Sequence, residues 1–291
     1  MLRCNFTSCG LYKFRDRTTK FLYKNIVIDI QSSDPKWITP KDDDIEENVD
    51  NTKPGRLVKV YDNMSVLERL VLCLSEFGGT ACLVFLGCLG CTSNSAEQIS
   101  FTFGLAIMIA VQIFGHISGS HINPAVTVAA AALGDFPLVN VPIYFLGQIL
   151  GGVTGFGLVK TLLTVPGLCS PSPNSSLSVF QVFLTEFLLT LILIWVCCGV
   201  WDSRNATKHD SISIRLGLAV AGLAMAGGSL TGANMNPARS FGPAVLNGTW
   251  NLHWVYWAAP ILAGLVGAIS YRIVFGKESK SNETFPERPS S

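Results

Sequence analysis

Six stretches of this 291-residue sequence stay apolar for long enough to cross a lipid bilayer, at roughly 66–90, 99–117, 136–163, 177–200, 212–229 and 253–275. A hydrocarbon core about 30 Å thick needs ~20 mostly apolar helical residues, so each run predicts one transmembrane helix. Two further apolar segments begin at Pro124 and Pro237 and are too short to cross. Proline costs nothing at a helix's first turn, where its missing N–H has no intrahelical acceptor, so both segments read as half-helices. The expected fold class is an all-α membrane protein.

The charge is distributed to match. The chain is 49% hydrophobic and 14% charged, with most of the charge outside the central region. A net charge of +1 without a concentrated basic face excludes nucleic acid as a partner. Residues 1–65 hold no long apolar run, carry an acidic cluster at Asp42, Asp43, Asp44, Glu46, Glu47 and Asp50, and do not form a signal peptide. They read as a polar, largely disordered tail, as do residues 276–291. Residues 66–275 are left as the membrane domain.

Eleven Lys and Arg precede the first span, and Arg204 and Lys208 sit between spans four and five, whereas the links at 92–98 and 164–176 have none. The positive-inside rule therefore puts both termini in the cytoplasm. Asn174, in Asn174-Ser175-Ser176, then lies outside as a candidate glycosylation acceptor. Of nine cysteines, Cys73, Cys82, Cys88, Cys197 and Cys198 lie in apolar runs without metal-ligand spacing and read as small packing residues. Cys91 and Cys169 both fall in the outer links and are a candidate disulfide pair.

The sequence also repeats itself. Gly104 precedes Asn123 by 19 residues, and Gly217 precedes Asn236 by 19. Upstream, Ser75-Glu76-Phe77 and Thr185-Glu186-Phe187 stand in matching places, with Glu76 47 residues before Asn123 and Glu186 50 before Asn236. The halves, 66–163 and 177–275, hold an odd number of spans each, so the second enters the membrane from the opposite side. That makes an inverted repeat, which brings irregular backbone to the midplane where it must line a cavity or be buried in protein.

Each half-helix is preceded by a matching string, Gly119-Ser120-His121-Ile122-Asn123-Pro124-Ala125 in one half and Gly232-Ala233-Asn234-Met235-Asn236-Pro237-Ala238 in the other. Asn123 and Asn236 are placed to aim side-chain NH2 groups at a lumen, while Gly119, Ser120, His121, Gly232 and Asn234 offer backbone carbonyls. Two helix N-termini meeting at the centre put partial positive charge there and oppose cations. Arg239 follows Asn236 by three residues, and its counterpart in the first half is Val126. A lone Arg beside a membrane pore points to a filter. Glu76 and Glu186 sit in apolar helices, where a carboxylate is expensive unless hydrogen-bonded, and their symmetric placement points to a structural task.

With two Asn-Pro-Ala turns in inverted register, the chain resembles the aquaporin family. The resemblance implies the aquaporin fold, a homotetramer in the plasma membrane, passive permeation without catalysis or cofactor, and Glu76 and Glu186 bonded to the re-entrant turn of their own half. It also implies a four-residue selectivity filter at Phe103, Ala224, Ala233 and Arg239. Strict water channels have His where this chain has Ala224, so a wider and more apolar ring is expected, suited to glycerol and urea as well as water. Ser240 stands where typical glycerol channels show Asp, and Tyr256-Trp257 keeps the water-channel pattern. The hybrid looks most like the insect entomoglyceroporins, with a strictly water-selective pore and a non-conducting adhesion protein as the rival readings. Ala233 also replaces the family's usual mercury-reactive Cys, so mercurial block there is not expected.

Overall fold

The structure, a computed structural model, describes residues 11–12, 20–23, 26–29, 64–93, 95–134 and 136–276. The chain divides into two units, 1–53 and 54–291. In the first, β1 (Leu11–Tyr12), β2 (Lys20–Tyr23) and β3 (Ile26–Asp29) form an antiparallel meander with Leu11 opposite Tyr23 and Lys20 opposite Asp29. A reading of this stretch as disordered tail omits the meander. Its signal is local: Phe21 and Tyr23 are aromatic and Ile26-Val27-Ile28 are β-branched, and a search for span-length runs passes over them. The acidic cluster at 42–50 and residues 277–291 lie outside the described residues.

The second unit is built from helices. In chain order they are α1 (Val66–Gly90), α2 (Ala96–Ser118), α3 (Pro124–Leu133), α4 (Val141–Leu162), α5 (Val179–Trp201), α6 (Ile212–Thr231), α7 (Pro237–Asn247) and α8 (Val255–Phe275). Among the described residues six helices are long and apolar enough to cross a membrane, and α3 and α7 are the two short ones. The helix starts are set by local chemistry. Ser65 with Glu68, and Ser178 with Gln181, form reciprocal capping boxes at the first helix of each half, satisfying N–H groups that have no helical partner. Both α2 and α6 stop at a left-handed glycine, Gly119 at φ 80° and Gly232 at φ 84°, a conformation that glycine adopts without Cβ strain.

The packing is two-fold throughout. Helix α1 packs on α4 and α2, and α5 packs on α8 and α6. The halves meet along α2 and α6, and each half-helix crosses to the other half, α7 against α4 and α3 against α8. The repeat landmarks Gly104 and Gly217 are the crossing point of α2 and α6, since a Cβ added at Gly217 would stand 2.8 Å from the Gly104 carbonyl oxygen. A Cβ at Gly264 would likewise come within 2.6 Å of the Ala125 oxygen, and Gly152 stands in the matching place against Ala238. Large apolar side chains cover the outside of the helices as well as the core. Leu146, Leu150, Ile192 and Leu218 are exposed, while Glu76, Gln148, Glu186 and Thr190 are fully buried, as expected where lipid is the solvent and polar groups must be satisfied inside the protein.

One pairing expected from the sequence is different in the structure. The disulfide joins Cys88 to Cys169, with Cα atoms 5.3 Å apart, and not Cys91 to Cys169. Cys88 is therefore a bridging residue and not a packing one. The link before α5 dips toward the bundle, so that Leu168 and Cys169 are buried against α1 one turn inside its end. Cys91 caps that end, its thiol directed to the Gly87 carbonyl at 3.6 Å. The small residues Gly147, Gly151 and Gly155 face the carbonyls of Cys73, Phe77 and Ala81 on α1.

A Cβ at Gly151 would lie against the Phe77 carbonyl and 3.0 Å from the Thr80 Cβ. Gly151→Val therefore forces α1 and α4 apart and is expected to cost about 3 kcal/mol, the upper range for overpacking a close contact. Thermal melting of the purified variant checks this, and an unchanged melting temperature would mean that the helices are not in close contact at Gly151.

Candidate functional site

The two re-entrant turns run from Gly119 to Asn123 and from Gly232 to Asn236. Their backbone is unusual for non-glycine residues: φ is 48° at Ser120, 44° at Ile122, 43° at Ala233 and 52° at Met235. Left-handed residues of this kind cost on the order of 1–3 kcal/mol each and persist only where the surroundings over-determine them. Here the surroundings are two buried carboxylates.

Glu76 accepts hydrogen bonds from the backbone N–H of His121 at 3.0 Å and of Ile122 at 2.6 Å, from Ser118 Oγ at 2.6 Å, and from Gln148 Nε2 at 2.8 Å. Glu186 accepts from the N–H of Asn234 and of Met235, both at 2.9 Å, and from Thr231 Oγ1 at 2.6 Å. Each carboxylate thus gathers the N–H groups of one turn. A trans peptide directs its N–H and C=O to opposite sides, so the carbonyls of Ser120, His121, Ala233 and Asn234 point away from the carboxylates. The N–H of Ser120 is taken by Ser118 Oγ and that of Ala233 by Thr231 Oγ1, which turns the Gly119 and Gly232 carbonyls the same way. The stretch Gly119 to Asn123 borders an internal cavity whose far wall comes from α2, α5 and α6.

At the centre the turns latch onto each other. Asn123 Oδ1 accepts from Ala125 N–H, and Asn236 Oδ1 from Ala238 N–H, so each Asn caps its own half-helix. Asn123 Nδ2 donates to the Met235 carbonyl and Asn236 Nδ2 to the Ile122 carbonyl, both at 2.9 Å. One N–H of each amide is used in this exchange, so the Asn side chains join the halves. Tyr144 OH donates to the Ser118 carbonyl and Tyr256 OH to the Thr231 carbonyl, each at 2.8 Å, holding the ends of α2 and α6.

Arg239 is buried in the first turn of α7. Its guanidinium lies 4.5 Å from the centre of the Phe103 ring, and its Nη1 donates to the Cys169 carbonyl at 3.1 Å. The arrangement is a cation–π contact backed by one carbonyl, and the Cys88–Cys169 bridge ties down the turn carrying that carbonyl. Ala224 and Ala233 lie together in an apolar cluster with Met235 and Val126. Asn174 is exposed, its Oδ1 accepting from the N–H and the hydroxyl of Ser176.

Several residues of this site do not stand out in the sequence. Ile122 and Met235 are apolar letters whose carbonyls are the latch points, and Gln148 has no repeat counterpart, since Pro260 stands in its place in α8. Tyr144 and Tyr256 do leave a trace: they follow Asn123 by 21 residues and Asn236 by 20. Replacing Glu186 by Gln puts an NH2 group where a backbone or hydroxyl donor needs an acceptor, and a buried donor left unpaired costs about 1–3 kcal/mol. Glu186→Gln is expected to lower the melting temperature and the solute flux per channel copy together. Unchanged values of both would show that the turn does not depend on the carboxylate.

The similarities to known proteins agree with this geometry. The family model described as major intrinsic protein matches residues 63–271, more than two thirds of the chain. Aquaporin-8 of Mus musculus is 35% identical over 217 residues, covering 71% of this chain and 82% of its own length. Nodulin-26 of Glycine max is 36% identical over 227 residues, covering 75% and 82%. Among solved structures, the aquaglyceroporin from Plasmodium falciparum superposes with a TM-score of 0.64 at 26% identity, covering 71% of this chain and 96% of that one. A family match of that extent, carried by paired turns, buried carboxylates and two-fold packing, means that the chain belongs to the major intrinsic protein family of passive membrane channels for water and small solutes.

Proposed function

We propose that this chain conducts water, glycerol and urea passively in both directions while excluding ions and protons. Phe103, Ala224, Ala233 and Arg239 form the filter in this reading, and the carbonyls of Gly119, Ser120, His121, Gly232, Ala233 and Asn234 carry permeating hydroxyls past Asn123 and Asn236. The observation that carries it is the chemistry around Arg239. The guanidinium, held by the Cys169 carbonyl, lies against the Phe103 ring, and the other two filter positions, Ala224 and Ala233, offer only methyl groups. A polyol or urea can lay its carbon edge on the apolar side and turn an oxygen to the cation.

The central barrier rests on charge. Half-helices α3 and α7 point their N-termini at each other across the Asn123–Met235 and Asn236–Ile122 hydrogen bonds. Cations meet the positive ends of two helix dipoles there, a barrier generally attributed to aquaporin-type pores. The proposal places four copies in the plasma membrane with both termini in the cytoplasm and Asn174 as an outer glycosylation site. The positive charges before α1 and between α5 and α6 support that orientation. The pairing of Ala224 with Ser240 and with Tyr256-Trp257 supports an entomoglyceroporin-type channel.

Isosmotic glycerol separates this reading from a strictly water-selective pore. Membranes carrying the protein are expected to swell in hypotonic medium and also in isosmotic glycerol, and swelling in the first alone would defeat the wide-filter reading. Ala224→His fills the ring with an imidazole and is expected to cut glycerol flux by roughly tenfold, the scale on which a small group in a pocket discriminates between substrates. Water flux in that variant is expected to stay near the parent value.

A further inference from the structure

The link between α4 and α5 is restrained by more than its disulfide, and the restraints converge on the residue whose carbonyl receives Arg239. Cys169 adopts φ 62° and Gly167 φ 68°. The glycine takes a left-handed backbone without steric cost, whereas the cysteine keeps it only where its surroundings hold it there. The bridge to Cys88 holds its side chain. The chain on either side of it is held by Asn247.

Asn247 is the last residue of α7. Its Nδ2 donates to the Leu168 carbonyl and to Ser170 Oγ, both at 3.0 Å, so one amide group grips the two neighbours of Cys169. Ser170 Oγ also accepts from Thr249 Oγ1 at 2.8 Å. The orientation of the amide follows from its partners. Lys160 Nζ donates to the Leu246 carbonyl at 2.8 Å and to Asn247 Oδ1 at 3.4 Å. An ammonium only donates and a carbonyl only accepts, so the amide oxygen has to face Lys160 and the NH2 group has to face Leu168. Lys160 also sets a positive charge at the C-terminal end of α7, where the helix dipole favours it.

The two ends of α7 therefore act on one carbonyl. Arg239, in the first turn, donates to the Cys169 carbonyl at 3.1 Å. Asn247, at the other end, holds the residues before and after it. A single helix of 11 residues carries the donor and, through Asn247, keeps its acceptor in place.

We propose that Asn247 is a positioning residue for solute selection: through Cys169 it fixes where the Arg239 guanidinium stands against Phe103, and with that the width of the ring. This rests on the reading of Arg239 and Phe103 as filter residues. Without the two donated hydrogen bonds the bridge alone restrains the turn, and the Cys169 carbonyl loses its fixed place. The guanidinium is then free to swing away from Phe103, which opens the ring to bulkier solutes.

Purified parent, Asn247→Asp and Asn247→Ala in liposomes test this through permeability to water, glycerol and the four-carbon polyol erythritol, with the flux of empty liposomes subtracted. Asn247→Asp is the sharper variant, because it keeps the shape and the Lys160 contact but turns an oxygen to the Leu168 carbonyl. It is expected to raise the ratio of erythritol to water flux several-fold, at a melting temperature within a few degrees of the parent's. Misfolded copies lower every flux in step, so the ratio reports the filter and not the number of working channels. An unchanged or lower ratio in Asn247→Asp would overturn the proposal and leave Asn247 as a packing residue at the end of α7. If Asn247→Asp fails to fold, Asn247→Ala decides by the same criterion. A parent that passes water but no glycerol defeats the wide-filter reading alone, since glycerol passing through Asn247→Asp would still show that Asn247 sets the ring.

Discussion

Two buried carboxylates hold this molecule's working part in shape. The turns before Asn123 and Asn236 are made of residues whose own preferences oppose the conformation they adopt, and the strain falls in the middle of a bilayer, where water cannot relieve it. Glu76 and Glu186 resolve both difficulties at once. Each takes two consecutive N–H groups of a turn, which fixes the strained backbone and obliges the carbonyls to face the other way. Each carboxylate in turn is affordable in an apolar helix only because the turn surrounds it with donors. Neither half of this arrangement is stable without the other.

The rest of the fold positions the two clamps. Glycines at Gly104 and Gly217 let the halves approach along α2 and α6, while Gly152 and Gly264 let each half-helix lie against the opposite half. The half-helices then meet end to end, and Asn123 and Asn236 exchange hydrogen bonds with the opposite turn. The repeat symmetry is broken at two positions. Arg239 replaces Val126 of the first half, and Trp201, 15 residues after Glu186, replaces Cys91, 15 after Glu76, so the two copies of one repeated scaffold differ in charge and bulk.

Much of this was readable in the sequence because the bilayer imposes coarse rules. Length and hydropathy gave the six spans, and spacing from Asn123 and Asn236 exposed the repeat and singled out Glu76 and Glu186. What escaped depends on contacts between distant segments. The bridge forms from Cys88 and not Cys91 because the link carrying Cys169 folds inward, a path that hydropathy does not encode. Ile122 and Met235 act through their carbonyls, so their side chains announce nothing. The strands at 11–12, 20–23 and 26–29 are hidden for another reason, since short strands leave no trace in a search for runs of span length.

In the proposed function the paired turns make a passive pore that passes water and uncharged solutes and stops charge. Simultaneous measurement of water flux and proton flux across liposomes carrying the purified protein tests it most directly. Rapid osmotic water movement with weak temperature dependence, and proton leakage no greater than in empty liposomes, is the predicted result. Water movement equal to that of empty liposomes, or uptake that saturates and requires a sodium or proton gradient, would contradict it.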